Sequence, residues 1–397
     1  MIHDRHDDAS ASGAATPTSA LGDDLLGQLD NFAPDAYASS GVARAWGLLR
    51  EHGWLARALD PDYALPAHKR AAPARAALKR QLGLLAEVGR GSLPLGRIYE
   101  GHVNALELIS RFATPAQRAG WYADARAGHG FGVWNTEMRD GIHIRAHADG
   151  EGYVLTGAKS FCSGARDLAR PIITGQLWRD GKAVGWQMLV LPMERVAEGN
   201  IDESFWSPLG MQASASFKVD FTGVRVTEAD FLGAPDDYHR QPHFSGGAIR
   251  FAAVQLGGAQ ALYDHTVALL AGMNRTHDPY QCHRIARMAI ALETGRQWLD
   301  AASVRALPGF APDREVINYA NMTRTAVLEV CNTVLELCEQ SVGARGFLEP
   351  KPIQRVYTDL KMYLRQPNPD GALAAVGHHA VATAQSPAYL APVPTAA

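Results

Sequence analysis

The chain has 397 residues, enough for one large folded unit or for two to three domains. Its composition, 47% hydrophobic and 20% charged, is that of an ordinary globular protein. The formal net charge of −3, with no dominant basic patch, argues against a general nucleic-acid binder. No uninterrupted apolar run reaches about 18 residues, so the sequence predicts no membrane span.

The cysteines and the first residues predict a cytoplasmic protein. No C-x-x-C motif is present, and the four thiols lie far apart or at helical spacing, which argues against a disulfide framework or a zinc site. They are Cys162, Cys282, Cys331 and Cys338. Residues 1–20 are polar and lack an apolar core segment, so we predict a flexible tail instead of a signal peptide.

Residues 21–128 have the pattern of helices. Apolar residues recur every three or four positions in "HKRAAPARAALKRQLGLLAEVGRGS" and in "GRIYEGHVNALELISRFA". The segment "TPAQRAG" starts with Thr114 as a cap, and Pro115 occupies the first helical position. We therefore predict an N-terminal helical domain over 21–128.

Residues 129–235 have the pattern of strands. Short β-branched and aromatic runs such as "GYVLTG" and "SFKVDFTGVRV" alternate with glycines and aspartates. In "LWRDGKAVGW" the pair Asp180-Gly181 separates two strand-like runs, which predicts a hairpin. This region is predicted to be a mostly antiparallel β domain, a barrel or a sandwich.

Residues 236–397 return to helices. "IRFAAVQLGGAQALYDHTVALLAGM" is apolar on several faces, and its pair Gly257-Gly258 would allow close helix contact. The following helical segments carry apolar stripes, which predicts a C-terminal four-helix bundle. The fold class predicted for the whole chain is α+β, in the order helical domain, β domain and helical bundle.

Five segments in this order resemble the acyl-CoA dehydrogenase superfamily. They are "FGVWNTE", "YVLTGAKSFCSGA", "SPLGMQASASFKVDFTGVRVTEADFLG", "LGGAQALYDH" and "QSVGARGF", and the resemblance extends roughly over residues 21–379. The resemblance implies an FAD-dependent oxidoreductase that forms a homodimer or homotetramer and binds FAD between the β domain and the bundle.

By this resemblance, four residues lie at the flavin ring. Hydroxyls and backbone groups can hydrogen-bond the polar rim of the ring, and an aromatic side chain can cover its face. An alternative is that most of them only form part of a sheet surface. The four residues are Asn135, Thr136, Phe161 and Ser163.

The resemblance also implies contacts with the diphosphate and adenosine of FAD. Arg275 would supply charge, and the turn from Gln340 to Gly343 would approach with its backbone. The family's second glycine in this turn is Ala344 here.

The loop "YLRQPNPDGALA" departs from the family at the catalytic base. The family's glutamate position falls at Pro367, and the position that some members use instead falls at Gly247. Asp370 is the nearest acid and would serve as base, or it starts a turn or caps the last helix. Arg365 and Gln366 would orient an anionic substrate, or they face solvent.

A second departure concerns the substrate. The family's loop for the CoA arm is reduced here to "MRDGI", which argues against an acyl-CoA thioester. Three functions stay open on the sequence. The first is dehydrogenation of a carbon acid, with electron-transfer flavoprotein as acceptor. The second is monooxygenation of a small molecule with reduced FAD from a flavin reductase. The third is a non-catalytic scaffold. No metal site is predicted.

Overall fold

The computed structural model describes residues 39–59, 71–139, 141–148, 150–348 and 352–384. The predicted tail and the start of the helical pattern, residues 1–38, lie outside the described residues. The described N-terminal part is helical. Its helices are α1 (Ser39–Glu51), α2 (Trp54–Arg57), α3 (Ala71–Gly91), α4 (Leu93–Phe112) and α5 (Pro115–Arg126).

Side-chain caps set the starts of two of these helices. The Ser92 hydroxyl accepts from the Leu95 N–H at 3.4 Å at the start of α4. Thr114 and Gln117 form a reciprocal capping box at the start of α5, with Pro115 at its first position. The helix start predicted at Thr114 is confirmed.

The middle part forms two sheets. The strands are β1 (Phe131–Trp134), β2 (His143–Ala146), β3 (Tyr153–Thr156), β4 (Ala158–Cys162), β5 (Arg170–Arg179), β6 (Lys182–Val190), β7 (Ile201–Asp202), β8 (Phe217–Asp220), β9 (Arg225–Val226) and β10 (Phe231–Leu232). The larger sheet has the strand order β10-β6-β5-β2-β3-β9, with β1 also paired to β5, and the smaller sheet has the order β4-β8-β7.

The predicted hairpin joins β5 and β6. Arg179 pairs with Lys182 across the turn, and both Asp180 and Gly181 have positive φ, as a two-residue hairpin turn of this kind requires. Most strands pair antiparallel, as predicted. β1 and β2 instead pair in parallel with successive parts of β5. β1 and β2 therefore lie one after the other along the side of β5 that faces away from β6.

The C-terminal part is helical again. It begins with one short helical turn, α6 (His243–Gly246). Three long helices follow, α7 (Ala248–Gly272), α8 (Pro279–Arg305) and α9 (Asp313–Val342). Two shorter helices come last, α10 (Pro352–Tyr363) and α11 (Pro369–Thr383). The mixed helix and strand architecture confirms the predicted fold class. In the described part of the chain, no helix has both the length and the apolarity needed to cross a membrane.

Glycines allow helix α7 to lie directly on α3. A Cβ atom built on Gly257 would be 1.9 Å from the Ala86 carbonyl oxygen, and one built on Gly89 would be 2.3 Å from the Val254 carbonyl oxygen. The close helix contact predicted for Gly257-Gly258 is confirmed. It brings the N-terminal helices and the bundle into one core, and it places the start of α7 beside α4.

Candidate active site

The residues predicted for the flavin ring come together where β1 ends beside β4. The Ser160 N–H donates to the Thr136 carbonyl at 3.2 Å. The indole N–H of Trp134 donates to the Ser163 carbonyl at 3.0 Å. These contacts join the chain after β1 to the end of β4 and bring Asn135, Thr136, Phe161 and Ser163 together. Thr136 and Phe161 are exposed and Asn135 is half-buried, so the side chains of these three residues are open to a ligand.

Phe161 is exposed in an unfavourable backbone conformation. Its φ is +54°, a region that costs a non-glycine residue about 1–3 kcal/mol, and its side chain is 43% exposed. Phe205 and Trp206 contact the Phe161 ring edge-on, with ring centroids 5.3 and 5.9 Å apart. The ring is thus held by aromatic neighbours while one side stays open, an arrangement that suits contact with a planar ligand.

A buried lysine lies next to this surface. Lys159 is fully buried; it forms an ion pair with Glu137 and donates to the Thr174 hydroxyl at 3.1 Å. Thr174 in turn donates to the side-chain oxygen of Asn135. Burial lowers the pKa of Lys159 to about 7. Sequence reasoning missed Lys159 and Thr174. The available signal was a lysine on the inward face of a short strand.

The Ser163 hydroxyl is engaged inside the protein. Its Oγ lies 2.8 Å from the Ser216 Oγ, which lies 2.8 Å from the Ser214 Oγ. Ser163 is only 6% exposed, so its side chain belongs to a buried row of hydroxyls. A contact of this hydroxyl with the flavin stays a prediction.

The residues predicted for the rest of FAD lie together at one end of the bundle. Arg275 forms an ion pair with Asp278 at 2.7 Å, and Asp278 caps helix α8. The Gln281 amide donates to the Ser341 carbonyl at 3.3 Å, which ties the start of α8 to the end of α9. Gly343 follows with φ +56°, and an added Cβ would meet open space there. The Gln340 amide donates to Glu336 on its own helix at 3.0 Å.

Side chains of α9 and α7 bond to the backbone of the loop between α10 and α11. Arg324 of α9 donates to the Gln366 carbonyl at 3.4 Å and also to the Pro367 carbonyl. The Gln255 amide of α7 donates to the Tyr363 carbonyl at 3.1 Å. Two buried or half-buried side chains therefore hold the backbone on both sides of Pro367, the position predicted to correspond to the family's glutamate.

Asp370 lies in the first turn of α11 and is exposed. The N-cap of that helix is Asn368, whose side chain accepts from the Gly371 N–H at 3.2 Å. The alternative that Asp370 caps the helix is therefore wrong, because Asn368 occupies that position. Arg365 is exposed as well. Catalytic or binding roles for Asp370 and Arg365 stay predictions.

The second base position, Gly247, lies under a buried arginine. A Cβ on Gly247 would be 2.5 Å from the guanidinium of Arg250. Arg250 is 6% exposed and contacts Glu100 at 3.2 Å, Glu107 at 2.7 Å and Asn104 at 2.7 Å. This ion cluster joins the start of α7 to α4.

Two further arginines complete the cluster, and a cleft opens beside it. Arg97 contacts Glu100 at 3.0 Å, and Arg111 contacts Glu107 at 3.2 Å. Each carboxylate therefore bonds two guanidinium groups. Both charged and apolar side chains line the cleft, among them Leu78, Glu107, His243, Ile249, Arg250 and Ala306.

The residues of the first set fit a flavin ring. They offer an amide, a hydroxyl and an exposed aromatic face on one surface, which is the donor set that a polar heteroaromatic ring needs. In the part of the chain that the structure describes, no three His, Cys, Asp or Glu side chains are grouped to hold a metal ion.

Comparisons with known proteins agree with this architecture. Residues 240–364 match the family model "Acyl-CoA dehydrogenase, C-terminal domain". The mitochondrial short-chain specific acyl-CoA dehydrogenase of Bos taurus is 24% identical over 295 residues, covering 70% of this chain and 69% of the relative. The dibenzothiophene monooxygenase of Rhodococcus erythropolis is 25% identical over 334 residues, covering 74% and 78%.

A solved structure extends the likeness to nearly the whole chain. The FMN-bound TdsC of Paenibacillus sp. A11-2 superposes with a TM-score of 0.72 at 19% identity, covering 89% of this chain and 96% of TdsC. The family model matched at residues 240–364, the related sequences and the fold together support membership of the acyl-CoA dehydrogenase superfamily.

Proposed function

We propose that this protein is a flavin-dependent monooxygenase that oxygenates a small organic substrate. The observation that carries the proposal is the residue at the family's base position. Pro367 has no side-chain group that can accept a proton, and Arg324 holds its carbonyl. Abstraction of a substrate proton at this place, which a dehydrogenase of the family needs, therefore has no carboxylate to perform it.

The alternative base position gives the same result. Gly247 has no side chain, and Arg250 covers it. The nearby carboxylates Glu100 and Glu107 each already bond two guanidinium groups. Both carboxylates are therefore already occupied by charged hydrogen bonds within the cluster, which makes them poor candidates for a base.

The cofactor would lie against the first set of residues. A bound reduced flavin supplies two electrons with which O₂ gives one oxygen atom to a substrate and the other to water. Thr136 and Asn135 would hydrogen-bond the rim of the ring, and Phe161 would cover its face. Ser163 would contribute through its backbone or through the row of serine hydroxyls.

FAD would contact residues at the end of the bundle that FMN would not reach. The adenosine diphosphate half of FAD would contact Arg275, Gln340 and Gly343. In the structure Arg275 and Gln340 bond Asp278 and Glu336, so FAD would have to exchange these contacts for its own. We propose that a flavin of either kind binds, since FMN needs only the first set.

The related proteins support oxygen chemistry. The Rhodococcus relative, which covers more of this chain than the Bos taurus relative does, is a monooxygenase. A separate flavin reductase would supply the reduced cofactor. Dehydrogenation with Asp370 as base and electron-transfer flavoprotein as acceptor is the second candidate.

The remaining inferences concern the cell and the assembly. All four cysteines are free thiols, which fits a cytoplasmic protein. A homodimer or homotetramer would bring the bundle end of one subunit near the flavin surface of another. The units 21–128, 129–235 and 236–397 remain our proposed domain division.

The experiment starts with purified protein titrated with FMN and FAD. The flavin complex is reduced without oxygen and then mixed with ¹⁸O₂ and either indole or dibenzothiophene as probe. Butyryl-CoA without oxygen serves as the dehydrogenase probe. We expect flavin binding, ¹⁸O in an organic product and no flavin reduction by butyryl-CoA. Reduction by butyryl-CoA would establish the dehydrogenase instead, and protein that binds neither flavin would be a scaffold.

A further inference from the structure

The hydrogen bonds around Thr174 have a defined direction. The ammonium form of Lys159, which the ion pair with Glu137 favours, has only donors and donates to the Thr174 oxygen, 3.1 Å away. The Thr174 hydroxyl in turn donates to the side-chain oxygen of Asn135. If the amide nitrogen of Asn135 faced Thr174 instead, the buried Thr174 proton would have no acceptor among the described residues, so the amide oxygen faces Thr174.

This direction decides which way the Asn135 amide faces. Its nitrogen, Nδ2, lies on the opposite side of the amide from Thr174. Among the described residues Nδ2 has no hydrogen-bond partner, and it is not enclosed, since the side chain is only half-buried. Without Lys159, the Thr174 hydroxyl could donate or accept, and the two ends of the amide could exchange.

Ion pairing keeps this arrangement in place. Lys159 is fully buried between strands, and Glu137 holds its ammonium group. Thr174 is 1% exposed, in the middle of β5. Neither residue reaches the surface that carries Thr136 and Phe161, so neither is placed to touch a ligand there. Their effect on that surface has to pass through Asn135.

We infer that Lys159 and Thr174 are positioning residues that orient the Asn135 amide, so that its N–H groups donate to an acceptor atom on the polar edge of the flavin ring. The inference rests on the proposed function, since it takes the ligand to be a flavin. The edge of a flavin ring carries carbonyl oxygens and unprotonated nitrogens, which are acceptors. A donor held there also stabilises the negative charge that the ring gains on reduction.

The experiment compares Thr174→Val, Thr174→Ser and Asn135→Asp with the unmodified protein. FMN and FAD are titrated with each, and the dissociation constant and the flavin reduction potential are measured. Losing one such hydrogen bond should weaken binding about three- to tenfold. We expect this for Thr174→Val, with a lower potential. Thr174→Ser keeps the hydroxyl and should behave as the unmodified protein. Asn135→Asp replaces the donor with a charged acceptor and should bind most weakly.

A matched control separates positioning from loss of stability. Like Thr174→Val, Thr266→Val removes a buried hydroxyl. The Thr266 hydroxyl donates to the Leu262 carbonyl at 2.7 Å, and Thr266 lies in helix α7 of the bundle. Thermal melting of the apoproteins reports the stability of each variant. Thr266→Val should lower stability and leave flavin affinity and potential unchanged.

The outcomes distinguish the inference from the proposed function. If the unmodified protein binds no flavin, the proposed function fails and the inference fails with it. If it binds flavin, and Thr174→Val has unchanged affinity and potential, only the inference is refuted. Should Thr174→Val not fold, Thr174→Ala, which also lacks the hydroxyl, takes its place and is judged in the same way.

Discussion

Replacing Gly257 by alanine tests the contact that joins the N-terminal helices to the bundle. The added Cβ would be 1.9 Å from the Ala86 carbonyl oxygen and 2.8 Å from the Arg90 nitrogen, both backbone atoms. Since real Cβ atoms essentially never approach other atoms closer than 3.0 Å, helices α3 and α7 would have to separate by about 1 Å. Such a shift would also loosen the reciprocal contact between Gly89 and Val254.

The free energy of unfolding should fall clearly. Overpacking of this kind costs about 1–3 kcal/mol and at times more, while alanine gains about 1 kcal/mol over glycine in helix propensity. Because the clash is with backbone, which cannot rotate away, we expect a net loss of about 2 kcal/mol. Urea unfolding followed by tryptophan fluorescence measures it, and thermal melting provides a second reading.

The same helix offers the control. Gly272, the last residue of α7, is exposed, and a Cβ there would have no atom within 4 Å. Gly272→Ala should therefore leave stability unchanged or raise it by about 0.5 kcal/mol. If Gly257→Ala were as stable as the unmodified protein, the close packing of α3 on α7 would be wrong.

Two further predictions concern buried charge and pH. Arg250→Met should lower the free energy of unfolding by about 3 kcal/mol because it leaves buried carboxylates without one of their partners. Arg179→Met removes an exposed ion pair and should lower it by less than about 1 kcal/mol. Equal effects of the two variants in urea unfolding would contradict a buried cluster. Burial lowers the pKa of His102 from its ordinary value of 6.5 to about 4. As the pH falls below about 6.5, His102 therefore becomes protonated in the unfolded chain before it does so in the folded protein. This difference lowers the free energy of unfolding by up to about 3 kcal/mol at pH 4. His102→Asn should remove that part of the pH dependence between pH 4 and 6.5. The prediction would be refuted if the melting temperatures of the variant and the unmodified protein fell by the same amount over this pH range.

The sequence predicted the elements and their order because local patterns are enough for them. The start of α5 at Thr114 depends on a cap and a proline that are adjacent in the chain, and the turn at Asp180-Gly181 depends on two residues that tolerate positive φ. The resemblance added the fold and predicted where a flavin would bind. It also predicted that Pro367 stands at the family's glutamate position, since this needs only a count along a recognised segment.

The tertiary structure alone decided what surrounds these positions. Arg324 holds the Pro367 carbonyl although 43 residues separate them, and Arg250 bonds Glu107 across a separation of 143. Lys159 meets Asn135 only through Thr174, on a third segment of chain. Such contacts depend on which side chains two elements bring face to face. That is set by sheet register and by how closely helices pack, and neither is encoded in any one stretch of sequence.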